Sequence, residues 1–255
     1  MELVKKIVRH TFIWGIIKHF RIYKDAKQWT AHDQKMLEFY SQFISVGDVC
    51  FDIGANIGNR TKIFLKLGAK VVAVEPQKEC LRILKARYRN KRLIVMQKVL
   101  GASEGEAELM ISGANTISSL SRDWIEAVKR SGRFSNYLWE TKQTVSMTTL
   151  DSLIVTYGIP SFIKIDVEGF EYQVIQGLSQ PIKTISLEFT PEYIESTFKC
   201  IDYLQSIGNI RLNYSIEETS QLALVKWVKS QEMKKILASY KDDIRLFGDV
   251  YVQFI

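Results

Sequence analysis

The sequence has few of the residues that form disulfide bonds or bind transition metals. Its 255 residues include three cysteines that are scattered, odd in number and outside any Cys-x-x-Cys pair: Cys50, Cys80 and Cys200. This spacing predicts neither a disulfide framework nor a zinc site. The three histidines lie at positions 10, 19 and 32, before the first predicted strand. Acid–base chemistry in the body of the protein must therefore use other residue types.

Positive charge is scarce outside the first 30 residues. The formal net charge is +7, but residues 1–30 hold seven Lys or Arg against Glu2 and Asp25, a net of +5. Residues 31–255 therefore carry only +2. A nearly neutral body lacks the basic surface that binding to a nucleic-acid backbone usually needs, so we predict no nucleic-acid partner.

Residues 1–30 also lack the long apolar run of a transmembrane helix. The segment is too short and too charged to span a bilayer, and no small-residue cleavage site follows it. A helix packed on the domain, a basic surface helix that touches a membrane or a partner, and an unstructured arm all remain open. We predict a cytoplasmic protein with a basic helical extension over residues 1–30, which could contact a membrane peripherally, and one domain over residues 31–255.

A strand, a glycine turn and a helix are predicted over residues 49–67. Residues 49–51 form a short apolar run, and apolar residues at helical spacing begin at Ile57. Between them lie Gly54 and Gly58, which have no Cβ and so let the backbone approach a ligand closely. The turn would also point the free amides of the helix N-terminus at that ligand, which favours an anion or another polar group.

Two acidic residues narrow the identity of the ligand. Glu75 ends the next predicted strand, 21 residues beyond Gly54, where nucleotide-binding βαβ units place an acid that accepts hydrogen bonds from ribose hydroxyls. Asp52 precedes the turn, where a carboxylate suits the ammonium of a methionine moiety and would repel a pyrophosphate. The third glycine of the nicotinamide-binding pattern is missing, and Asn56 stands inside the turn. We infer that the ligand is S-adenosylmethionine (SAM). The alternative is that the glycines only form a tight turn and bind no ligand.

The order of strands and helices predicts an α/β domain. Strand, helix, strand, helix, strand at this spacing is typical of a parallel sheet with right-handed crossovers and helices on both faces. A third strand is predicted over residues 93–100, and seven strands are expected, the last inserted as a hairpin-like return. Residues 106–111 and 143–147 are expected to pair as an accessory hairpin. Between them, residues 112–141 are predicted either as a lid over the ligand or as a surface helix anchored by its aromatic residues.

Four carboxylates are expected to converge on one rim of the sheet. Each stands at the carboxyl end of a predicted strand, where open α/β sheets bind their ligands: Asp52, Glu75, Asp166 and Glu188. Glu168 and Glu171 follow Asp166 closely at the start of a predicted helix. Acids are favoured there by the helix dipole. We adopt that structural interpretation for Glu171 and leave it open for Glu168.

Four stretches of the sequence resemble one family. In this order and spacing, FDIGANIGNRT, VVAVEPQ, TTLDSL and FIKIDVEGFE are similar to the FkbM-type methyltransferases, a branch of the class I SAM-dependent enzymes. The resemblance covers roughly residues 33–254. It implies a Rossmann-like fold with a seven-stranded, mostly parallel sheet and helices on both faces. It also implies SAM as the cofactor and, usually, O-methylation of hydroxyls on sugars, polyketides or other small metabolites.

The resemblance also implies which residues contact SAM. These are Asp52, Ile53, Gly54, Ala55, Asn56, Gly58, Glu75, Pro76, Val99 and Asp166. The residues from 52 to 58 would surround the methionine end, and Glu75 would hold the ribose. Val99, beside Lys98, would flank the adenine. Asp166 would lie next to the transferring methyl group and the acceptor.

Methyl transfer from a sulfonium is an in-line displacement, so the protein mainly has to align the acceptor. A neutral alcohol must also lose its proton, and a carboxylate of raised pKa could accept it. The candidates, in order of preference, are Asp166, Glu168 and Glu188. Asp166 could instead only hydrogen-bond the cofactor. Clustered carboxylates could also bind Mg²⁺, but no dedicated set of ligands is visible, so we predict no metal.

The sequence thus predicts an enzyme, a SAM-dependent methyltransferase that acts on a hydroxyl of a small metabolite or glycan. The alternative is a non-catalytic SAM-binding module that docks a membrane or protein partner through the N-terminal extension. The joint presence of Asp52, Gly54, Gly58, Glu75 and Asp166 favours the enzyme, because a docking domain has no need of them together. The acceptor and the oligomeric state do not follow from the sequence.

Overall fold

A computed structural model gives the structure of residues 29–255. The extension predicted over residues 1–30 falls almost wholly outside these residues, so its helix and its membrane contact stay predictions. No helix within residues 29–255 is long and apolar enough to cross a membrane.

Eight helices and ten strands make up the described part of the chain. The helices are α1 (Ala31–Tyr40), α2 (Asn59–Lys66), α3 (Lys78–Arg87), α4 (Arg122–Ser131), α5 (Leu150–Tyr157), α6 (Glu171–Gln176), α7 (Ile194–Ile207) and α8 (Ser230–Ala238). The strands are β1 (Val49–Ile53), β2 (Lys70–Val74), β3 (Leu93–Met96), β4 (Val99–Leu100), β5 (Gly105–Ile111), β6 (Thr141–Thr148), β7 (Phe162–Ile165), β8 (Thr184–Phe189), β9 (Ile210–Ile216) and β10 (Gly248–Phe254). These residues also form two short 3₁₀ turns, Asn115–Ile117 and Pro191–Tyr193.

Seven strands form the main sheet, in the order β3-β2-β1-β7-β8-β10-β9. β10 runs antiparallel to both of its neighbours, and the other pairs are parallel. The last strand is therefore inserted between β8 and β9 as a hairpin-like return, which confirms the predicted seven-stranded, mostly parallel sheet. The chain runs outward from β1 to β3 and then returns to β7 beside β1. Ligands of open α/β sheets bind outside such a switch point.

Both faces of the main sheet are buried. Strands β1, β7 and β8 are buried at nearly every position, as is typical of parallel strands covered on both sides. On one face, an aromatic cluster packs α1 and α2 onto the sheet and contains Tyr40, Phe43, Phe64, Phe162 and Tyr251. A larger apolar core joins the strands to α5, α6 and α7. These cores fix the carboxyl ends of the central strands relative to one another.

The prediction of a single strand over residues 93–100 is wrong, because these residues form two strands that belong to two different sheets. β3 pairs with β2 at the edge of the main sheet, whereas β4 pairs with β6 in a separate sheet of order β4-β6-β5. β3 is an edge strand with partly exposed side chains, so the apolar residues after Met96 find burial only by turning into the small sheet. The predicted pairing of residues 106–111 with residues 143–147 is confirmed.

The two predictions for residues 112–141 describe different parts of the same segment. α4 is a surface helix anchored by aromatic residues, since Trp124 is buried and the Trp139 indole donates to the backbone oxygen of Ile117 at 2.7 Å. The 3₁₀ turn before α4 instead lies at the carboxyl ends of the strands. The segment therefore combines an anchored helix with a stretch that covers the ligand face.

Candidate active site

A cavity of about 320 Å³ opens at the carboxyl ends of β1, β2 and β7. Its wall contains all four strand-end acids that the sequence places on one rim: Asp52, Glu75, Asp166 and Glu188. Their predicted convergence is confirmed. Glu75 follows β2 and Glu188 lies in β8, with β1 and β7 between them, so the acids span the cavity from end to end. We call the side near Glu75 the cofactor end and the side near Glu188 the acceptor end.

Gly54 brings the end of β1 against the end of β7. Its φ is +81°, a conformation that favours glycine, and a Cβ at this position would lie 1.8 Å from the backbone oxygen of Asp166. The Asp166 amide in turn donates to the backbone oxygen of Ile53 at 3.0 Å. Only glycine fits this approach. The turn after β1 and the candidate base Asp166 are therefore held side by side.

The backbone amides of the glycine turn are not available to an anion, whereas the amides of the helix N-terminus, in residues 59–61, have no hydrogen-bond acceptor within residues 29–255, as expected from the sequence. Each residue from 54 to 58 donates its amide to an acceptor inside the chain. The acceptors are the backbone oxygens of Val74 and Ala55 and the side chains of Glu75 and Asn56. The turn thus offers acidic side chains and a close backbone approach, and it suits a neutral or cationic group better than a phosphate.

Asp52 lines the cavity and is only 2% exposed. Thr61 of α2 donates its hydroxyl to Asp52 Oδ2 at 2.5 Å, and Oδ1 has no hydrogen bond within residues 29–255. Burial raises the pKa of Asp52, while the Thr61 hydrogen bond and the nearby charge of Arg60 lower it. A cationic group in the cavity would stabilise the charged form of this carboxyl group.

Glu75 is held by two backbone amides. Its Oε2 accepts from the amide of Asn56 at 2.9 Å, and its Oε1 accepts from the amide of Gln77 at 2.8 Å. Burial raises the pKa of Glu75 to about 7, although both hydrogen bonds favour the charged form. Each carboxylate oxygen has two lone pairs. Both oxygens can therefore still accept a hydrogen bond from a ligand hydroxyl.

Most of the other residues predicted to contact the cofactor also line the cavity. They are Ile53, Gly54, Ala55, Asn56, Pro76 and Val99, and Lys98 joins them. Gly58 does not line the cavity. Its φ is +87°, and a Cβ there would lie 2.8 Å from the side chains of Leu84 and Tyr88. The packing of α3 against the turn requires glycine at this position, so the location of Gly58 does not support a contact with the cofactor.

A short strap over residues 115–118 covers the cofactor end. Asn115, Thr116 and Ser118 line the cavity, and the backbone oxygen of Asn115 accepts from Gln77 Nε2 at 2.7 Å. Asn56 Nδ2 reaches the same oxygen at 3.4 Å. These contacts tie the strap to both sides of Glu75. No specific role is predicted for Gln77 or for the strap, because the polar composition of the segment is their only signal in the sequence.

Asp166, Glu168 and Glu188 meet at the acceptor end. Oxygens from the three carboxylates lie within 4.8 Å of one another. Burial raises the pKa of Glu168 and of Glu188 well above the usual 4.5, and the negative charge of Asp166 raises both further. Within the described residues, no hydrogen bond or ion pair involves the side chain of Glu168 or Glu188. Their polar groups therefore remain available to a ligand.

The loop after β7 is fixed by contacts on its outer side. Glu168 has a φ of +54°, unusual for a residue with a side chain, and its backbone oxygen accepts from Ser119 Oγ at 2.6 Å. Glu171 accepts from the amides of Val167 at 3.1 Å and Gly169 at 3.3 Å. Glu171 is not part of the cavity wall. Its position supports the structural role expected for it.

Two cations beside these acids had no predicted role. Lys164 of β7 and Arg60 of α2 both line the cavity. Lys164 Nζ lies 3.3 Å from Asp166 Oδ2, and Arg60 pairs with Glu218 at 2.6 Å. A signal for Lys164 existed in the sequence, because a lysine inside the apolar strand FIKI can be buried only with an acidic partner.

The acids at the acceptor end are close enough to share one cation, although the sequence predicts no metal. Acidic side chains often lie this close without a metal, and Lys164 already supplies a positive charge to Asp166. We therefore assign no metal to these residues.

Residues 52–218 match the family described as Methyltransferase FkbM domain. The chain belongs to the FkbM methyltransferase family. The match begins at Asp52 and ends at Glu218, and both residues line the cavity. The matched span of this FkbM methyltransferase therefore includes every acid described above. No curated protein matches the chain.

Solved structures similar to this FkbM methyltransferase share little sequence with it. The precorrin-6y C5,15-methyltransferase of Geobacter metallireducens is 9% identical, with 87% of each chain covered and a TM-score of 0.46. A TehB-like SAM-dependent methyltransferase of Corynebacterium glutamicum is 9% identical, with 94% of this chain and 97% of that chain covered and a TM-score of 0.45. The C-terminal domain of a precorrin-6Y C5,15-methyltransferase of Rhodobacter capsulatus is 11% identical, with 89% and 91% covered and a TM-score of 0.42.

The fold of the FkbM methyltransferase follows from its own sheet. Seven strands in the order β3-β2-β1-β7-β8-β10-β9, with β10 antiparallel and helices on both faces, form the Rossmann-like fold of class I methyltransferases.

Proposed function

We propose that this methyltransferase uses SAM to methylate a hydroxyl group on a small metabolite or glycan. The observation that carries the proposal is the single cavity that joins Asp52 and Glu75 at one end to Asp166 and Glu188 at the other. A donor held at the cofactor end and an acceptor held at the acceptor end would meet beside Asp166.

The groups at the cofactor end fit SAM. Glu75 can accept hydrogen bonds from ribose hydroxyls, and Asp52 offers a carboxylate oxygen to the ammonium of the methionine moiety. The internally bonded amides of the glycine turn and the Asp52 carboxylate beside them disfavour a pyrophosphate, which argues against a nicotinamide dinucleotide. Val99 and Lys98 remain the candidate neighbours of the adenine.

Asp166 is the first candidate for the proton acceptor. Its side chain is 37% exposed, and its Oδ1 has no partner within residues 29–255. When bound, SAM supplies a methyl carbon on a positively charged sulfur. Asp166 would accept the proton of the acceptor hydroxyl as its oxygen takes the methyl group, and S-adenosylhomocysteine would be released. Glu168 and Glu188 are the second and third candidates for the same role, and a positioned carboxylate typically contributes about 10²–10⁴-fold.

The charge at the acceptor end supports a neutral hydroxylated acceptor. Glu168 and Glu188 form no ion pair among the described residues, and Asp166 places a third acid beside them, so a phosphate or carboxylate on the acceptor is disfavoured there. Hydroxyl groups can donate hydrogen bonds to both acids. The same residues favour transfer over the alternative of a non-catalytic SAM-binding module, because a module that only docks a partner has no need of acids beside the donor.

Calorimetry with SAM tests the proposal. We expect wild-type protein to bind SAM and Asp52→Ala to bind it at least about tenfold more weakly, since hydrogen bonds to charged groups contribute about 1.5–3 kcal/mol. Asp48→Ala is the matched control, because Asp48 precedes the opposite end of β1 and caps only the Ser45 amide. Wild-type protein that ignores SAM but binds a dinucleotide would contradict the proposal.

A transfer assay then tests the acceptor class. Protein is incubated with [methyl-³H]SAM and a panel of neutral monosaccharides and polyols, each paired with its phosphorylated form. We expect label to enter a neutral member and its phosphorylated counterpart to be a poorer substrate. Preference for the phosphorylated member would contradict the assignment of the acceptor end.

We also keep peripheral membrane contact through residues 1–30 as a proposal, which is supported only by their charge and apolar residues. Protein that lacks these residues should bind SAM normally and sediment less with vesicles that contain anionic lipid. Equal sedimentation of the full-length and the shortened protein would contradict a membrane contact through residues 1–30.

A further inference from the structure

Lys164 is a buried lysine at the centre of the main sheet. Its side chain is 2% exposed, and its neighbours in β7, Phe162, Ile163 and Ile165, are fully buried. Taking an ammonium group out of water is strongly unfavourable unless acids surround it. Lys164 Nζ donates to Asp249 Oδ1 at 2.8 Å and lies 3.3 Å from Asp166 Oδ2. The lysine thus joins a buried acid to the acid at the methyl-transfer end of the cavity.

Asp249 anchors the far side of this pair. It lies in β10 opposite Glu188 of β8, and its side chain is 11% exposed. Its second oxygen accepts from the Tyr251 hydroxyl at 3.4 Å. The ion chain Asp249–Lys164–Asp166 therefore runs across three strands of the rigid sheet and ends in the cavity.

Stability alone does not explain this ion chain. A buried ion pair is typically no more stabilising than apolar residues of the same size, because desolvation of the charges offsets their attraction. An apolar side chain at position 164 would match the rest of β7. The lysine in this strand therefore needs another explanation. Its contact with the Asp166 carboxylate in the cavity provides one.

We propose that Lys164 and Asp249 are positioning residues for methyl transfer. Lys164 holds Asp166 Oδ2, so that Oδ1 faces the acceptor in one orientation, and Asp249 holds Lys164 in place. Within the described residues, Lys164 is the only hydrogen-bond or ion-pair partner of the Asp166 side chain. This inference rests on the proposed function, because it assigns the position of the group that takes the proton.

The test compares Lys164→Met with the double variant Lys164→Met/Asp249→Asn. The single variant leaves the Asp249 carboxylate buried without its cation, so we expect a lower unfolding temperature. The double variant removes both charges, and its unfolding temperature should return towards that of wild type. A structural role alone would restore activity together with stability. A positioning role would restore stability only.

Two measurements on the double variant decide between these roles. In crystals with S-adenosylhomocysteine, the Asp166 side chain should have one conformation in wild type and a different one, or several, in the double variant. In the transfer assay with the neutral panel, kcat should be roughly 100-fold lower, the typical cost of misplacing a reacting group by about 1 Å. SAM affinity should stay close to the wild-type value. An unchanged Asp166 conformation, or a wild-type kcat, would overturn the inference.

A matched control removes an ion pair elsewhere. Lys62 and Asp33 also form a largely buried pair, at 2.7 Å, but neither lines the cavity. Lys62→Met/Asp33→Asn should change stability without lowering kcat, and a comparable loss of kcat would overturn the inference. If wild-type protein fails to bind SAM, the proposed function fails and takes this inference with it. If wild-type protein binds SAM but Lys164→Met/Asp249→Asn keeps the wild-type kcat and the wild-type Asp166 conformation, the inference fails and the proposed function stands.

Discussion

The two ends of the cavity differ in how their acids are satisfied. At the cofactor end, Glu75 accepts from two backbone amides and Asp52 accepts from Thr61. At the acceptor end, the side chains of Glu168 and Glu188 have no partner within residues 29–255, and their pKa values are raised by burial and by the charge of Asp166. At the cofactor end, the protein itself supplies hydrogen-bond donors to the acids. At the acceptor end, only a ligand can supply donors to Glu168 and Glu188.

This difference fits a cofactor of fixed structure at one end and a hydroxylated acceptor at the other. Acids whose geometry is fixed by backbone groups can bind only a ligand that matches that geometry, which suits a common cofactor. Acids without partners can hydrogen-bond many hydroxylated acceptors, at the cost of mutual repulsion when the cavity holds no acceptor. Variants at the cofactor end should therefore affect binding of SAM, and variants at the acceptor end should affect turnover.

The largest effect is expected from Gly54→Ala, because Gly54 joins the two ends. The new Cβ would lie 1.8 Å from the Asp166 backbone oxygen, so β1 and β7 must separate. We expect a loss of at least about 3 kcal/mol in the free energy of unfolding and no measurable SAM binding. Chemical denaturation and calorimetry measure these two quantities.

Gly47→Ala is the matched control for this prediction. Gly47 has a similar φ of +89°, but a Cβ there would meet nothing within 4 Å. It should cost only about 1 kcal/mol from backbone strain and leave SAM affinity unchanged. Equal losses in the two variants would show that backbone strain, and not the clash with Asp166, determines the cost.

Asp166→Asn should separate turnover from binding. An amide cannot take the proton of the acceptor, so kcat should fall by about 10²–10⁴-fold while SAM affinity changes little. Asp151→Asn is the control, because Asp151 accepts from the Ser179 amide outside the cavity. The transfer assay and calorimetry provide the comparison. Parallel losses in kcat and SAM affinity would assign Asp166 to the cofactor end.

The cofactor end could be predicted from the sequence, and much of the acceptor end could not. The positions of Asp52, Gly54 and Glu75 follow from strand ends and turn chemistry, which are local features of the chain. The partnership of Lys164 with Asp249 joins residues 85 positions apart and depends on β10 being inserted beside β8. The contact of Gly58 with α3 also joins residues distant in the sequence, and it accounts for this glycine without a cofactor.

Glu75→Gln should weaken SAM binding by about 10–100-fold, since an amide loses the charge and one of the two backbone hydrogen bonds. In wild type, affinity should also rise from pH 6 to pH 8, because the pKa of Glu75 is about 7 and the ionised carboxylate is the better acceptor for ribose hydroxyls. The variant should show no such rise from this group. Calorimetry over this pH range measures both effects.

The same residue affects stability with the opposite dependence on pH. The pKa of Glu75 is about 7 in the folded protein and 4.5 when exposed, so folding favours its neutral form. This contribution, about 3 kcal/mol at most, is fully present below pH 4.5 and is lost as the pH rises through 7. Between these pH values, ligand-free wild type should lose more stability than Glu75→Gln. Parallel denaturation curves for the two proteins would contradict the buried position of this acid.

The smallest effect is expected at the strap over residues 115–118. Gln77→Ala removes the hydrogen bond from Nε2 to the Asn115 backbone oxygen and the longer one that Oε1 accepts from Ser118 Oγ at 3.3 Å, a loss of about 0.5–1.5 kcal/mol. SAM should therefore dissociate about 2–10-fold faster, as measured by stopped-flow displacement. Gln97→Ala is the control, because its Nε2 donates to the Pro76 backbone oxygen at 3.2 Å and does not touch the strap. If both variants release SAM at the wild-type rate, the strap does not retain the cofactor, and the glycine turn with Asp52 and Glu75 must hold it alone.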